Sequence, residues 1–392
     1  QVGVLWGWLL AQGVHIHFAH RTFQWSNEAR GMAAVHCVIV GFGLEDVAQK
    51  VIFEYEDIRG EPHAVIAGNI NPYLVDAPDV VLPRRSTPIC PSPEIGIGNK
   101  PIDNGNYLFT TEERDEFLKR EPAAQKYFRR WIGADEFING YERWCLWLGD
   151  CPPDELRKMP HALKRVEAVK ACRAASKSAP TRKLAEIPTR FHVEFMPEKP
   201  YMVIPEVSSE RRPYIPFGFL SPETMASNKL RLLPHAGLFD FGILSSHMHM
   251  AWTRYTCGRL ESRYQYSISI VYNNFPWPNL PSPSAALLPL PASGERGRGE
   301  EKVHAIETAA QAVLDARAEF PDASLADLYD PLSMPPALVK AHQKLDAAVD
   351  AAYGKKNFHN DAERVAFLFD LYQKYTGALA AVPAKKPRKP RA

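Results

Sequence analysis

The positions of the prolines constrain the fold of this chain more than any other feature. The 34 prolines cluster in residues 72–101, 197–222 and 276–291. Because proline lacks a backbone N–H and disfavours helical geometry at the preceding residue, these stretches predict extended loops and short strands rather than long helices. The 392 residues suffice for two or three domains with sizeable cores.

The first 42 residues predict the edge of an α/β sheet. QVGVLWGWLLAQG has helical apolar spacing and stops at Gly13, residues 14–23 alternate in polarity, and residues 33–42 form an apolar run. Helix, strand, turn and strand in this order are typical of the trailing edge of such a sheet. The chain begins with Gln rather than Met, which favours a segment of a longer protein.

No glycine-rich loop follows a predicted strand. The nearest candidate, GIGNKPIDNG (96–105), follows a proline-rich loop and has Pro101 where the third glycine of a nucleotide-binding loop would stand. We interpret it as a turn.

The remaining chain divides into a long mixed region, a linker and a helical end. The mixed region includes a helix that begins after a threonine cap in TTEERDEF (110–117). SPSAALLPLPASGERGRGEE (282–301) has no periodic apolar face, which predicts a mobile linker. Helical periodicity then resumes, with Gly354 and Gly377 as expected helix ends. The predicted division is 1–58, 59–282, a linker at 283–302, a helical domain at 303–378 and a disordered basic tail at 379–392.

The charge pattern points to one local patch. The net charge of +2 is close to neutral, so a polyanionic partner would have to be bound by a local concentration of charge. Residues 154–192 contain ten basic and four acidic residues. Two interpretations remain open: a solvated helix face, or contact with phosphates through residues such as Lys164, Arg165 and Lys170.

Other residue types argue against several kinds of site. The six cysteines form no Cys-x-x-Cys pair and have no histidine at zinc-finger spacing, so a reduced, cytoplasmic protein is the simplest interpretation. Residues 3–11 are apolar but too short to span a bilayer. His247 and His249 would lie about 200° apart on a helix, whereas helical metal ligands are spaced by three or four residues. We expect neither a metal site nor a membrane contact.

Long, unusual strings in this sequence resemble one protein family. They are FAHRTFQWSNEARGMAAVHCVIVGF (18–42), YERWCLWL (141–148), VSSERRPYIPFGFL (207–220), FGILSSHMHMAWTRYTCGRL (241–260), YSISIVYNNFPWP (266–278) and SLADLYDPLSMPPALVKAHQKLDAAVDAAYG (324–354). The chain resembles the MmeI-like, gamma-class (type IIL) DNA methyltransferases over nearly its whole length, apart from 282–301 and the tail.

The resemblance implies a fold and a function. Members of this family methylate the N6 amine of adenine in double-stranded DNA with S-adenosylmethionine, and some carry an N-terminal nuclease domain. Laid on the family's order, the chain begins after the donor-binding and catalytic motifs. It would therefore contain the trailing edge of a Rossmann-like methyltransferase sheet, a mixed α+β target-recognition domain and a small helical C-terminal domain. S-adenosylmethionine would be bound by the N-terminal catalytic domain of the full-length enzyme and not by this segment.

Two aromatic motifs bear on catalysis. Asn71-Pro72-Tyr73 is one proline short of the Asn-Pro-Pro-Tyr tetrapeptide of amino-group methyltransferases and follows the trailing strands, so we do not interpret it as the catalytic loop. In similar enzymes an aromatic residue before the penultimate strand stacks on the flipped adenine, and stacking recovers part of the cost of flipping. Phe23 is the best match and Trp25 the next, the alternative being a ring that is simply part of the core.

Three groups of residues are candidates for DNA contact. Arg suits guanine, and Asn suits adenine, because each offers paired hydrogen bonds to a base edge. The groups are Glu210, Arg211 and Arg212 beside a proline-stiffened turn; Asn228, Lys229 and Arg231 on an expected exposed loop; and Ser245, Ser246 and His247 as possible lining of the DNA cleft. For each of the first six residues, surface salt bridging is the alternative.

Two functions follow from the sequence. The first is the C-terminal part of a site-specific adenine-N6 DNA methyltransferase of the restriction-modification type, mainly responsible for sequence recognition. The alternative is a free-standing, non-catalytic DNA-specificity module that acts with a separate methylase. The codons upstream of Gln1 distinguish them, because donor and catalytic motifs in the same frame would favour the enzyme.

Overall fold

The N-terminal helix packs against the first sheet. The computed structural model describes residues 2–25, 35–280, 293–355 and 358–380. The elements are α1 (Val2–Ala11), β1 (His15–Trp25), β2 (Val35–Gly43), β3 (Lys50–Glu54) and β4 (His63–Ala67). The strand order is β2-β1-β3-β4, with β1 parallel to β3 and the other neighbours antiparallel. Trp6 packs with Ile16, Ala19 and Ile52, so the predicted helix and strand pair are confirmed.

The next part of the chain builds a lobe around its longest helix. Its elements are β5 (Gly96–Ile97), β6 (Leu108–Phe109), α2 (Thr111–Arg120), β7 (Phe128–Ile132), α3 (Ala134–Asn139), β8 (Arg143–Leu146), α4 (Pro153–Leu156), α5 (Pro160–Ala174) and α6 (Ala179–Lys183). Thr110 caps α2 as predicted: its hydroxyl oxygen accepts from Glu113 N, and the Glu113 carboxylate accepts from Thr110 N. Side chains of α5, including Val166 and Val169, share a core with Phe109 and Trp131. We call residues 103–192 the α5 lobe.

The third part completes three small sheets. Its elements are β9 (Tyr201–Pro205), β10 (Val207–Ser208), β11 (Gly218–Leu220), β12 (Thr224–Ala226), β13 (Leu230–Leu233), α7 (Leu238–Leu244), α8 (His247–Thr256), β14 (Gly258–Leu260) and β15 (Arg263–Gln265). The sheets have the orders β12-β7-β8-β6, β11-β9-β13-β5 and β10-β15-β14. Short strands between irregular segments are what the proline clusters predict.

Within the described residues after 292 lie four helices: α9 (Ser293–Ala318), α10 (Leu325–Leu328), α11 (Pro336–Ala352) and α12 (Asp361–Ala380). The prediction of a linker over 283–302 is wrong for its second half, because α9 begins at Ser293. Buried Val303 and Ile306 anchor this helix. Once a helix is nucleated, each added residue gains a backbone hydrogen bond, and Glu and Arg favour the extension although Gly294, Gly297 and Gly299 oppose it. The first half of the linker lies outside the described residues, as do residues 381–392 of the predicted tail. The first two residues of that tail, 379 and 380, belong to α12.

Glycine ends one of the C-terminal helices but not the other. Gly354 follows α11 with φ of +81°, as predicted. Gly377 lies inside α12, so the expected helix end there is wrong. The Ala-Leu-Ala sequence after Gly377 favours helix strongly enough to offset one glycine.

The C-terminal helices share one core with the third part of the chain. α9 packs on α7, and α12 packs on α8. Trp252 of α8 lies with its ring centroid 5.4 Å from that of Phe369 in α12, within a continuous cluster of buried side chains. None of the described helices is both long enough and apolar enough to cross a membrane.

Candidate nucleic-acid interface

A three-stranded ribbon brings two loops to one end. β15 pairs antiparallel with β10 and β14, and Tyr264 lies opposite both Ser208 and Arg259. Because of this register, the loop after β10 and the turn between β14 and β15 lie at the same end. We call residues 209–212 and 259–263 the ribbon end.

The loop after β10 presents a free arginine. Arg211 is exposed, and its guanidinium has no hydrogen bond or ion pair with any described residue. Arg212 is half-buried and donates to Ser208 Oγ at 3.3 Å, and burial lowers the pKa of its guanidinium. Glu210, between the free arginine and the strand, is half-buried. Of the three predicted residues in this loop, Arg211 is therefore the one with all its side-chain donors available.

The adjoining hairpin, β14 and β15, is not among the elements predicted from the sequence. Its turn residues are Glu261 and Ser262, and Glu261 has φ of +58°, a region that favours glycine. The turn lacks the Asn-Gly or Asp-Gly pair that usually marks a two-residue hairpin. The available signal was alternation, since Arg263 and Gln265 are exposed on either side of buried Tyr264. Glu261 and Arg263 form an exposed ion pair of 2.8 Å.

Glu206 pairs with both cations of the second predicted group. Its carboxylate forms ion pairs with Arg231 Nη2 at 2.8 Å and with Lys229 Nζ at 3.2 Å. Arg231 lies in β13 with 11% of its side chain exposed, so the expectation that it lies on an exposed loop is wrong; the alternation of residues 230–233 places it on the strand. Asn228 and Lys229 form the turn before β13, half-buried and exposed respectively.

The third predicted group lies at the start of α8 and consists of Ser245, Ser246 and His247. Ser246 is buried, caps the helix by accepting from His249 N, and donates to Ile243 O at 2.7 Å. Ser245 is also buried, and its Oγ has no hydrogen-bond partner among the described residues. His247 Nδ1 lies 3.1 Å from Asp346 Oδ2 of α11. The expectation that the two serines line a DNA cleft is therefore wrong, because both side chains are buried and that of Ser246 caps α8.

The predicted basic patch is divided between surface and interior. Lys164 and Lys170 are exposed on α5 and have no ion pair with any described residue. Arg165 is half-buried: its Nη1 donates to Asn106 O at 2.7 Å and its guanidinium lies 4.1 Å from the centre of the Phe109 ring. Arg165 therefore packs the lobe, and the interpretation of its side chain as a free phosphate ligand is wrong.

Within this patch, Arg173 is the basic residue most completely withdrawn from solvent. Its side chain is fully buried, and each of its five N–H groups has a carbonyl acceptor. Nε donates to Ile102 O at 2.9 Å, Nη1 to Leu184 O and Ile187 O at 2.9 and 3.1 Å, and Nη2 to Pro101 O and Arg190 O at 2.7 and 2.8 Å. One side chain thus holds together the loop before the lobe and the segment that closes it.

Phe23 and Trp25 lie at the end of β1. Phe23 is half-buried and its ring stacks on Tyr55, with centroids 5.3 Å apart and planes 18° apart. Trp25 is 51% exposed, 6.2 Å from the Phe23 ring. The two rings follow the irregularity in the β1–β2 register between His20 and Phe23. They form an aromatic group at the end of β1, an interior strand of the first sheet, on which a planar ring can stack.

Asn71 and Tyr73 are used by the fold. Asn71 is fully buried, and its Oδ1 accepts from Tyr73 N at 3.0 Å and Val75 N at 3.3 Å. The Tyr73 hydroxyl accepts from Leu82 N, and its ring packs on Phe369. These bonds build a tight turn and leave no side-chain amide or ring face for a substrate.

Two observations bear on the binding of a metal or of a nucleotide-like donor. In the part of the chain that the structure covers, no group of three or more His, Cys, Asp or Glu side chains is placed to hold a metal ion. Gly98, in the glycine-containing turn at 96–105, is required for a close backbone contact: a Cβ there would lie 2.2 Å from Ser227 O. That glycine therefore serves β-strand packing, and we assign no donor-binding residue in this chain.

Known proteins resemble this chain along its length. The family descriptions that match are "MmeI, DNA-methyltransferase domain" over residues 1–54, "MmeI, target recognition domain" over 76–279 and "MmeI, C-terminal domain" over 299–380. DNA methyltransferase A of Bacillus subtilis (strain 168) is 37% identical over 377 residues, which are 96% of this chain and 40% of that protein. The type IIL restriction-modification enzyme MmeI, solved in complex with DNA, is 50% identical with a TM-score of 0.86, over 96% of this chain and 48% of that one.

The chain thus spans less than half the length of either relative. The target-recognition match alone covers more than half of the residues. The chain belongs to the MmeI family.

Proposed function

We propose that this chain is the sequence-reading portion of a site-specific, adenine-N6-specific DNA methyltransferase of the restriction-modification type. The observation that carries the proposal is the ribbon end: it lies within the region matched by the target-recognition family, and it presents the free guanidinium of Arg211 beside the Glu261–Arg263 pair. In this division residues 1–58 end the catalytic domain, 59–282 recognise DNA, and 303–378 complete the core behind them.

The ribbon end would read base edges in the major groove. A β-ribbon fits that groove, and arginine binds guanine O6 and N7 through two parallel N–H donors. Asn228, in the turn beside Glu206, offers an amide suited to adenine. Glu206 would hold Lys229 and Arg231 beside the ribbon, so Arg231 orients the site and Arg211 reads a base.

The α5 lobe would contact the DNA backbone. Lys164 and Lys170 are solvent-exposed cations on one helix, and contacts of this kind position a protein on DNA without reading its sequence. Each phosphate neutralised releases a condensed counterion, so these contacts make binding depend on salt.

The aromatic group of β1 would receive the target base. Tyr55 covers one face of Phe23, and we propose that a flipped adenine stacks on Phe23, with Trp25 as the second candidate. Stacking offsets part of the few kcal/mol that unpairing and unstacking cost. The methyl group would come from S-adenosylmethionine bound elsewhere in the longer, cytoplasmic protein.

Selection from a randomised duplex library tests the proposal. Immobilised 1–392 chain should enrich one short sequence containing an adenine, and Arg211→Ala should lose the preference for at least one base while still binding DNA. Enrichment of no sequence by the wild-type chain would contradict a recognition role. Calorimetry should detect no S-adenosylmethionine binding by the 1–392 chain; micromolar binding would mean that donor residues were overlooked.

A further inference from the structure

Arg21 joins three separate parts of the molecule. It lies in β1 two residues before Phe23, with 17% of its side chain exposed. Its Nη1 donates to Glu54 Oε1 of β3 at 2.5 Å, and its Nε and Nη2 donate to Leu74 O at 3.0 and 2.9 Å. Its guanidinium lies 5.0 Å from the centre of the Tyr255 ring in α8.

The acceptor of two of these bonds is held in an unusual conformation. Leu74 has φ of +59°, which is uncommon for a residue with a branched side chain. The buried Asn71 amide oxygen accepts from the backbone on both sides of Leu74 and so fixes the turn. The Asn-Pro-Tyr turn therefore presents the Leu74 carbonyl to Arg21.

The end of α8 carries the ribbon. Tyr255 lies three residues before β14 begins at Gly258. Its neighbour Arg254 pairs with Asp361 at the start of α12 and donates to Pro213 O at 3.2 Å, directly after the loop of Arg211. A displacement of this end of α8 would therefore move both halves of the ribbon end together.

We propose that Arg21 is a positioning residue that sets the orientation of the aromatic group of β1 relative to the ribbon end. The proposal rests on the proposed function, in which this orientation sets the distance between the base that is read and the base that is flipped.

Arginine is required because the three contacts use different parts of one planar group. One edge of the guanidinium donates to the Leu74 carbonyl, another nitrogen donates to the Glu54 carboxylate, and the central carbon lies over the Tyr255 ring. A lysine ammonium is a point charge without a planar face and cannot make the paired bonds and the stacking together. The Tyr255 hydroxyl donates no hydrogen bond to a described residue, so its ring is the part that matters.

Distance measurement between two spin labels tests the proposal without DNA. Unnatural amino acids at Ala64 of β4 and Leu260 of β14, both exposed, carry the labels so that native cysteines stay intact. The wild-type chain and Tyr255→Phe should give one narrow distance. Arg21→Leu, Arg21→Lys and Tyr255→Leu should each shift or broaden it, and Arg59→Leu, an exposed arginine near the same sheet, should not.

Two outcomes would overturn the proposal. One is a narrow, unshifted distance in both Arg21→Leu and Tyr255→Leu with circular dichroism showing a folded chain. The other is a change in the DNA sequence selected by Arg21→Leu, since an orienting residue leaves the ribbon's own base preference intact. Failure of the wild-type chain to select any sequence would count against the proposed function alone, because the distances are measured without DNA.

Discussion

In the α5 lobe, Arg173 is excluded from solvent and donates to five carbonyl oxygens, whereas at the ribbon end Arg211 is exposed and has no partner among the described residues. Residues 154–192 of the lobe have an excess of six basic residues, yet part of that charge holds backbone together. The ribbon end has an excess of two, four arginines against two glutamates, and keeps the guanidinium of Arg211 free. Local net charge therefore shows where cations are abundant, and only their acceptors show which of them are available to DNA.

We expect the largest effect from removing the buried guanidinium of Arg173, which should destabilise the α5 lobe. Arg173→Met would remove the side-chain donor from five carbonyl oxygens. Leu184 O and Ile187 O each keep a backbone donor, from Ile187 N and Arg190 N, so three oxygens lose the only donor they have among the described residues, at about 1–3 kcal/mol each. We expect a decrease of more than about 4 kcal/mol in the free energy of unfolding, measured by urea denaturation. Lys170→Met, an exposed position one turn earlier in the same helix, is the matched control and should change stability by less than about 0.5 kcal/mol.

Acid should destabilise the region around α8 and α11 more than the α5 lobe. Burial lowers the pKa of His249 in α8 and of His342 in α11 to about 3, below the usual value of 6.5. Below pH 6.5 the unfolded chain takes up protons that the folded chain excludes, so stability falls as the pH drops from 6.5 towards 3. At pH 5 each histidine should cost about 2 kcal/mol.

Hydrogen exchange followed by mass spectrometry, corrected for intrinsic rates, measures this effect region by region. Protection should fall at pH 5 in α8, α11 and the ribbon, and should persist longer in the α5 lobe, whose histidines 161 and 192 are exposed. His249→Phe should flatten the pH dependence. An equal decrease of protection in both regions would show that these two histidines do not control the acid response.

Local sequence signals predicted local structure. The Thr110 capping box and the Gly13 and Gly354 helix ends depend on neighbouring residues, and the structure has all three. The acceptors of Arg173 come from residues 101, 102, 184, 187 and 190, which only the tertiary fold brings together. The pairing of Glu206 with Arg231 also spans separate strands. Helical spacing places Arg173 on the same face of α5 as Val166 and Val169, but charge and spacing do not show that carbonyl oxygens from distant residues will accept from it.

The next prediction separates a base reader from an orienting residue. Arg211→Lys keeps the charge and removes the planar fork, so we expect unchanged affinity for random DNA and a decrease of about 1–3 kcal/mol in discrimination at one base position. Arg231→Lys is the control, because Arg231 is paired with Glu206, and it should spread a small effect over all sequences. Selection from a randomised duplex library measures both. If Arg211→Lys selects the same sequence as the wild type, Arg211 does not read a base, and base reading must be assigned to Asn228 or to the Glu261–Arg263 pair.

The smallest expected effect concerns the exposed face of the α5 lobe. Lys164→Gln with Lys170→Gln should weaken binding to specific and random duplex alike, because phosphate contacts carry no sequence information. The plot of log affinity against log salt should flatten by up to about 0.9 for each phosphate that is no longer neutralised. Lys340→Gln with Lys344→Gln is the matched control: these lysines lie four residues apart on α11, are exposed, and have no ion pair with a described residue. If both pairs change the slope equally, binding follows overall charge and the α5 lobe has no special role in it. If neither does, its lysines form an ordinary solvated face, and the residues that bind phosphate must lie elsewhere in the chain.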